Sequence, residues 1–389
     1  MEKIKKVVFA AILVALAAGI VELCAFVFSQ WFADRITFHD VEKYLATDYV
    51  LKHAHLAYHP ERGWDNNYRT PFGERPRRET YGEPYIATYG DSFVHCDGVR
   101  EHQTWQHYLS GLLRRDVCNF GTGAYGPDQA YLKFLQVQPK VKSTIAILGL
   151  QTENINRILN VYRPFYYSRT GERLTKPRFV LRNRRLVLLP NPVACQEDIE
   201  KLKDLRFIIS LGKHDHWYNR YNYPVKAFPY SRILFNKRMW RELISKTSGH
   251  VVDDINPRPW EDLWQDAETV DLMFAILEAF VRQCKTDGVV PILMVIPGKA
   301  SVQSVLDTGE DVAAVRMIEE YCRRNGWLFI NPVGGFVEHI RQGHPLSSLY
   351  TGHVSPTGNA VIADVVRRFL VEHGLFEESA PAGGAAGPP

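Results

Sequence analysis

Five apolar runs alternate with amphipathic stretches along most of this chain: "PYIATYG" (84–90), "DVCNFG" (116–121), "STIAILGL" (143–150), "VVPILMVIP" (289–297) and "WLFINP" (327–332). The runs are continuous rather than alternating, which is the pattern of strands covered on both faces. Helical spacing follows or precedes each of them, over 102–115, 128–138, 267–288, 311–326 and 355–374. Ser355 reads as the N-cap of the last helix, with Pro356 at its first position. This alternation predicts an α/β fold over 84–375, a three-layer doubly wound sandwich around a five-stranded, mostly parallel sheet. A ligand site is then expected at the carboxyl ends of the strands.

Ahead of this domain the composition changes. "MEKIKK" precedes an apolar stretch from Val7 to Phe28, 22 residues with a single charge, Glu22. Such a helix spans a bilayer core of about 30 Å. The lysines before it keep the N-terminus cytoplasmic and place the remainder outside. A cleavable signal peptide is the rival, since "ALA" at 15–17 resembles a cleavage site. The run continues well beyond that point, so an uncleaved transmembrane helix over 1–29 is expected. The chain is then a single-pass protein of the inner (cytoplasmic) membrane, with its α/β domain on the periplasmic or extracellular side. Residues 30–83 read as a polar linker and entry segment, and the Ala/Gly/Pro-rich tail 376–389 as disordered. A net charge of +4 is small for 389 residues and gives no reason to expect a nucleic-acid partner. With Cys24 in the apolar stretch, five cysteines remain; export would permit a Cys96–Cys118 bridge, but their spacing does not demand one. His214 and His216 in "KHDHWY" read as a polar loop rather than a metal site.

Residues 155–265 break the strand–helix rhythm and are expected to form an inserted cap. Its first part, 157–188, holds eight Arg and one Lys against one Glu, and aromatics crowd it. Arginine with flat aromatic faces suits an anionic or carbohydrate ligand, with Arg157, Arg163, Tyr162, Tyr166 and Trp217 as candidate contacts. The same residues also read as a solvated basic hairpin over an aromatic mini-core, or as a surface for anionic lipid headgroups.

Four polar clusters fall at strand ends. "YGDSF" (89–93) closes the first run, the Gly-rich "NFGTGAYGPDQ" (119–129) the second and "GLQTENIN" (149–156) the third, while "YTGHVSPTGN" (350–359) sets His353 just before the last helix. Their order and spacing resemble the SGNH (GDSL-type) hydrolases over about 84–154 and 267–372. The anchor and basic–aromatic insertion look like the membrane-tethered members associated with surface polysaccharides.

The resemblance implies a flavodoxin-like SGNH fold in which Ser92 is the nucleophile and His353 its base. The oxyanion would be held by the backbone N–H of Ser92, that of Ala124 and the side-chain amide of Asn154, with Gly123 and Gln151 as second choices. Three departures stand out. Ala124 replaces a glycine, "GLQTEN" replaces Gly-x-Asn-Asp, and Tyr350 and Thr351 occupy the places of the acid that orients the histidine. Glu153 is a candidate substitute for that acid. The function implied is an exported, membrane-anchored serine esterase removing O-acyl groups, acetyl first among them, from a glycan through an acyl-serine intermediate. The alternatives are a glycan O-acyltransferase with the same Ser–His site, fed by a membrane-bound acyl-donor protein, and a non-catalytic glycan-binding or assembly protein. No metal or organic cofactor is implied.

Overall fold

A computed structural model of the chain describes residues 2–31, 44–167, 170–222, 228–235, 240 and 260–377. The linker part 32–43 and the tail beyond 377 lie outside the described residues, as does much of 223–259. The chain divides into two compact units, one comprising Met1–Trp64, Leu159–Arg178 and Pro190–Pro259, the other Asp65–Ile158, Phe179–Leu189 and Trp260–Pro389. The expected cap, 155–265, is therefore shared between them.

In the first unit, helix α1 (Glu2–Trp31) is long and apolar enough to cross a membrane, with a mean hydropathy of 2.6 over its most apolar window, none of which is buried. Its one internal charge, Glu22, accepts hydrogen bonds from the backbone N–H groups of Tyr230 (2.7 Å) and Ser231 (3.2 Å). Helix α2 (Asp48–Ala57) starts at a Thr47 cap. The aromatic residues expected to meet ligand instead form this unit's core. Trp217 and Tyr162 are fully buried and Tyr166 nearly so. The Tyr162 hydroxyl donates to the Tyr44 carbonyl at 2.6 Å, and Tyr166 packs its ring against Trp217. Arg163 lies half-buried over the Tyr166 ring at 5.6 Å. Beneath them the buried Asp215 carboxylate gathers the N–H groups of Val161, Tyr162 and Tyr218 and the Asn160 amide. Large flat side chains bury more apolar area than any others, and here that burial builds a core.

The second unit carries the sheet. Strands β1 (Pro84–Tyr89), β2 (Asp116–Asn119), β3 (Ile145–Leu150), β4 (Val290–Val295) and β5 (Leu328–Ile330) all run parallel, in the order β2-β1-β3-β4-β5. The side chains of β2 and β3 are buried throughout, as continuous apolar runs require. Helices α3 (Trp105–Leu113), α8 (Val333–Arg341) and α9 (Pro356–Glu372) cover one face, burying Trp105, Leu109, Phe336, Ile362 and Val366 against Ile86, Ile147 and Ile292. Helices α4 (Pro127–Val141) and α5 (Ala267–Thr286) cover the other, where Phe134 meets Phe280 and Tyr89. Between β4 and β5 run α6 (Lys299–Thr308) and α7 (Ala313–Arg324). Helices α6 and α8 are short, ten and nine residues, and fall outside the five helical stretches expected from the sequence.

The order 2-1-3-4-5 reverses direction at β1, so the crevice between the ends of β1 and β3 is the switch point where ligands bind in such sheets.

The segment read as a linker is only partly that. From Asp65 onward it is built into the second unit by polar contacts. Lys133 of α4, 2% exposed, bonds Asp65 at 2.7 Å and the Thr122 hydroxyl at 2.9 Å. Arg75, also buried, donates to the carbonyls of His95, Cys96 (2.9 Å) and Val99 (2.6 Å). Replacing Arg75 by Ala strands those acceptors, and buried unsatisfied groups cost about 1–3 kcal/mol each. Since water reaches part of the gap, we expect Arg75→Ala to lower unfolding stability by about 2–4 kcal/mol, read from the denaturant midpoint.

Candidate active site

Strand β1 ends at Tyr89, and the next three residues build a helix start. Asp91 is the N-cap of the short helix Ser92–His95, its Oδ1 accepting from the Phe93 N–H at 2.8 Å. Ser92 thus occupies the first helical position, where a backbone N–H has no intrahelical partner. Gly90 is required by space, because a Cβ there would lie 2.4 Å from both the Gly149 carbonyl oxygen and Val94 Cγ2. Gly121 is required likewise, since its Cβ would meet the His95 nitrogen at 2.2 Å. The loop after β2 therefore lies directly on the helix that bears Ser92, pinned by Thr122 N–H to the Gly90 carbonyl at 3.0 Å.

From the far end of the chain, the two-residue strands Tyr350–Thr351 and His353–Val354 pair antiparallel about Gly352. They deliver His353 to the same crevice. Its Nε2 lies 2.9 Å from Ser92 Oγ, a hydrogen bond spanning 261 residues of sequence. The Phe93 ring packs against the imidazole with centroids 4.7 Å apart. Ser92 is 8% exposed and His353 half-buried.

Behind the serine sits a buried polar cluster. Asp91 Oδ2 accepts from Asn154 Nδ2 at 3.0 Å and from Arg157 Nη1 at 3.4 Å. Burial pushes the Asp91 carboxyl above its usual range, against the pull of the Arg157 guanidinium and the Asn154 amide. Asn154 Oδ1 also accepts the Gln151 N–H at 3.0 Å. The Asn154 amide is thereby fixed beside the residue preceding Ser92, with its second N–H available. Ala124 has φ +67°, a left-handed conformation usually left to glycine.

Two expected roles are not found where the sequence suggested them. Glu153 bonds Arg157 Nη2, not His353, so it does not orient the imidazole. Arg157 is buried, holding Asp91, Glu153 and the Tyr125 carbonyl (2.8 Å), and cannot reach ligand as a cap residue. Among the described residues no carboxylate accepts a hydrogen bond from His353 Nδ1. Tyr350 turns inward, its hydroxyl donating to the Pro297 carbonyl at 2.8 Å, and Thr351 is exposed. All six cysteines are free, Cys96 and Cys118 being buried with thiols pushed up to about 12 by that burial. No group of three or more His, Cys, Asp or Glu among the described residues is placed to hold a metal ion.

Sequence reading missed the pair His95 and Asp97. His95 Nδ1 bonds Asp97, and its Nε2 meets the Tyr68 hydroxyl at 2.7 Å. Burial alone would push the Asp97 carboxyl up. The hydrogen bond from His95 and the charges of His95, His353 and Arg75 outweigh it and hold the carboxyl below its usual value.

No protein-family model matches the chain, and no curated protein sequence matches it. Among solved structures it is similar to a member of the lipolytic protein G-D-S-L family from Veillonella parvula DSM 2008, with 10% identity over 73% of this chain and 96% of that one and a TM-score of 0.36. A catalytic mutant of an acetylxylan esterase from Geobacillus stearothermophilus aligns at 13% identity over 78% of this chain and all of its own, with a TM-score of 0.38. An alpha/beta hydrolase enzyme from the metagenome of Lake Arreo, Spain, aligns at 13% identity over 77% of this chain and all of its own, with a TM-score of 0.36.

Two outcomes follow from this geometry. Relief of the left-handed strain is worth about 1–2 kcal/mol, partly offset by glycine's unfolded-state entropy. We expect Ala124→Gly to unfold at a slightly higher temperature and to keep whatever activity the Ser92 site has, as it retains the same N–H. Because the folded Asp97 carboxyl sits below the ordinary aspartate range, its contribution is fully present above that range and is lost as pH falls through the folded value. Wild type and Asp97→Asn should differ in melting temperature at about pH 6, and the difference should shrink as the pH is lowered below the ordinary aspartate range.

Proposed function

We propose that this chain is a membrane-anchored serine esterase of the SGNH type, acting on O-acyl groups of a glycan through an acyl-serine intermediate. The observation that carries the proposal is the 2.9 Å contact between Ser92 Oγ and His353 Nε2, formed at the switch point of a parallel sheet. A serine hydroxyl becomes a competent nucleophile when an adjacent base removes its proton.

Ser92 Oγ attacks the acyl carbonyl as its proton passes to His353 Nε2. The oxygen that gains negative charge is met by the Ser92 N–H, the Ala124 N–H and the Asn154 amide. Such donors, fixed before reaction, are worth about 10²–10³ in rate each. Collapse expels the sugar hydroxyl, which takes the proton back from His353, and water repeats the cycle on the acyl-serine. With no carboxylate on Nδ1 among the described residues, the Phe93 ring and the tight hairpin about Gly352 hold the imidazole in place. Loss of the acid from a serine triad lowers turnover by about 10⁴, so slow hydrolysis is expected of this dyad.

Helix α1 supplies the anchor, and the lysines ahead of it put the catalytic unit on the outer side of the inner membrane. In detergent the full chain should hydrolyse p-nitrophenyl acetate, and Ser92→Ala or His353→Ala should each cut turnover by at least about 10³-fold. Equal rates in all three proteins would sink the esterase reading. A fluorophosphonate that cannot cross membranes should label Ser92 in spheroplasts; labelling only after lysis would overturn the orientation.

A further inference from the structure

A cavity of about 480 Å³ opens in the second unit beside the candidate active site. Gln151 and Glu153 after β3, Trp260 and Trp264 ahead of α5, and Gly298 and Lys299 at the start of α6 contribute to its wall. It adjoins the catalytic residues at two points. The backbone of Gln151 is hydrogen-bonded to Asn154 in both directions. Lys299 Nζ lies 5.7 Å over the ring of Tyr350, whose hairpin carries His353.

Three independent features give this cavity a chemical preference. Trp260 is half-buried on its wall, and the indole of Trp264 is fixed by a 3.0 Å hydrogen bond to the Thr152 carbonyl. Together they offer flat apolar surface. Helices α6 and α7 both open onto it, with Gly298 and Val312 at their N-caps and no side-chain hydrogen bond at either. Helix starts of this kind attract anions through uncapped N–H groups and the helix dipole. Finally, Gln151 is only 9% exposed, yet its Nε2 has no acceptor among the described residues. A buried donor left unmet is costly, and a ligand oxygen is the acceptor it lacks.

Of the carboxylates on or near the wall, Glu153 is paired with Arg157 and Asp311 is held by Ser301, Val312 and Asn331, while Glu261 accepts the Trp260 N–H at 3.0 Å and keeps its charge at the rim. Lys299, by contrast, has no ion pair among the described residues and is exposed.

We propose that this cavity is a subsite for a sugar ring bearing a carboxylate, so that the acylated glycan is an acidic one. The ring lies against Trp260, its carboxylate faces Lys299 and the two helix starts, and a hydroxyl accepts from Gln151. The inference rests on the esterase reading for its biological sense but not for its test. That test is titration of the full chain in detergent with glucuronic acid, glucose and acetate, followed by calorimetry. Glucuronic acid should bind at least about tenfold tighter than glucose, and Lys299→Ala should abolish most of that preference. Trp260→Ala should weaken both sugars about fivefold. Near-ultraviolet circular dichroism of either variant should match wild type, showing an intact fold, and the binding arms can be read even if the wild type hydrolyses nothing. Equal affinity for glucose and glucuronic acid, binding unchanged in the variants, or acetate binding as tightly as glucuronic acid would each overturn the proposal.

Discussion

The buried carboxylate of Asp91 holds the site together. One oxygen caps the helix that starts at Ser92, and the other takes the Asn154 amide and the Arg157 guanidinium from the segment after β3. A charge out of water is tolerated only when paired and hydrogen-bonded, so each partner is fixed as firmly as the carboxylate. The consequence reaches function directly. The serine, its own N–H and the amide that would face an oxyanion are all referenced to one atom group, and their mutual geometry cannot drift independently.

Around that centre the scaffold is more polar than its depth would suggest. Arg75 and Lys133 are buried, and each ties a chain segment with no regular structure to an element that carries the site. Polar tethers of this kind specify a single arrangement where apolar packing would tolerate several. The His353 ring is placed separately, packed against Phe93 and carried on the short hairpin about Gly352.

The aromatic residues that composition suggested for recognition are scaffolding. The densest aromatic cluster of the chain fills the core of the first unit, sealed by Tyr44, Tyr162, Phe165 and Trp217. The aromatic surface left facing open volume near the site comes instead from Trp260 and Trp264, which the sequence presents without emphasis. A count of rings measures how much area is available to bury, not which side of it will meet solvent.

What the sequence determined by itself is the fold of the second unit and the strand and helix ends from which Ser92 and His353 meet. Continuous apolar runs and amphipathic helices are local signals whose burial follows from periodicity, and "GDS" and His353 fall at strand and helix ends that the same periodicity locates. Tertiary structure alone decided everything that depends on partners distant in the chain. Glu153 and Arg157 are one helical turn apart and neutralise each other, so neither is left for the roles their chemistry suggested. The segment 65–83 looks like a linker because its buried groups are charged, and only the carbonyls and carboxylates they meet make that burial affordable. Helices α6 and α8 are too short for their spacing alone to mark them, and they become visible only once their buried residues, Val302 and Phe336 among them, meet the core.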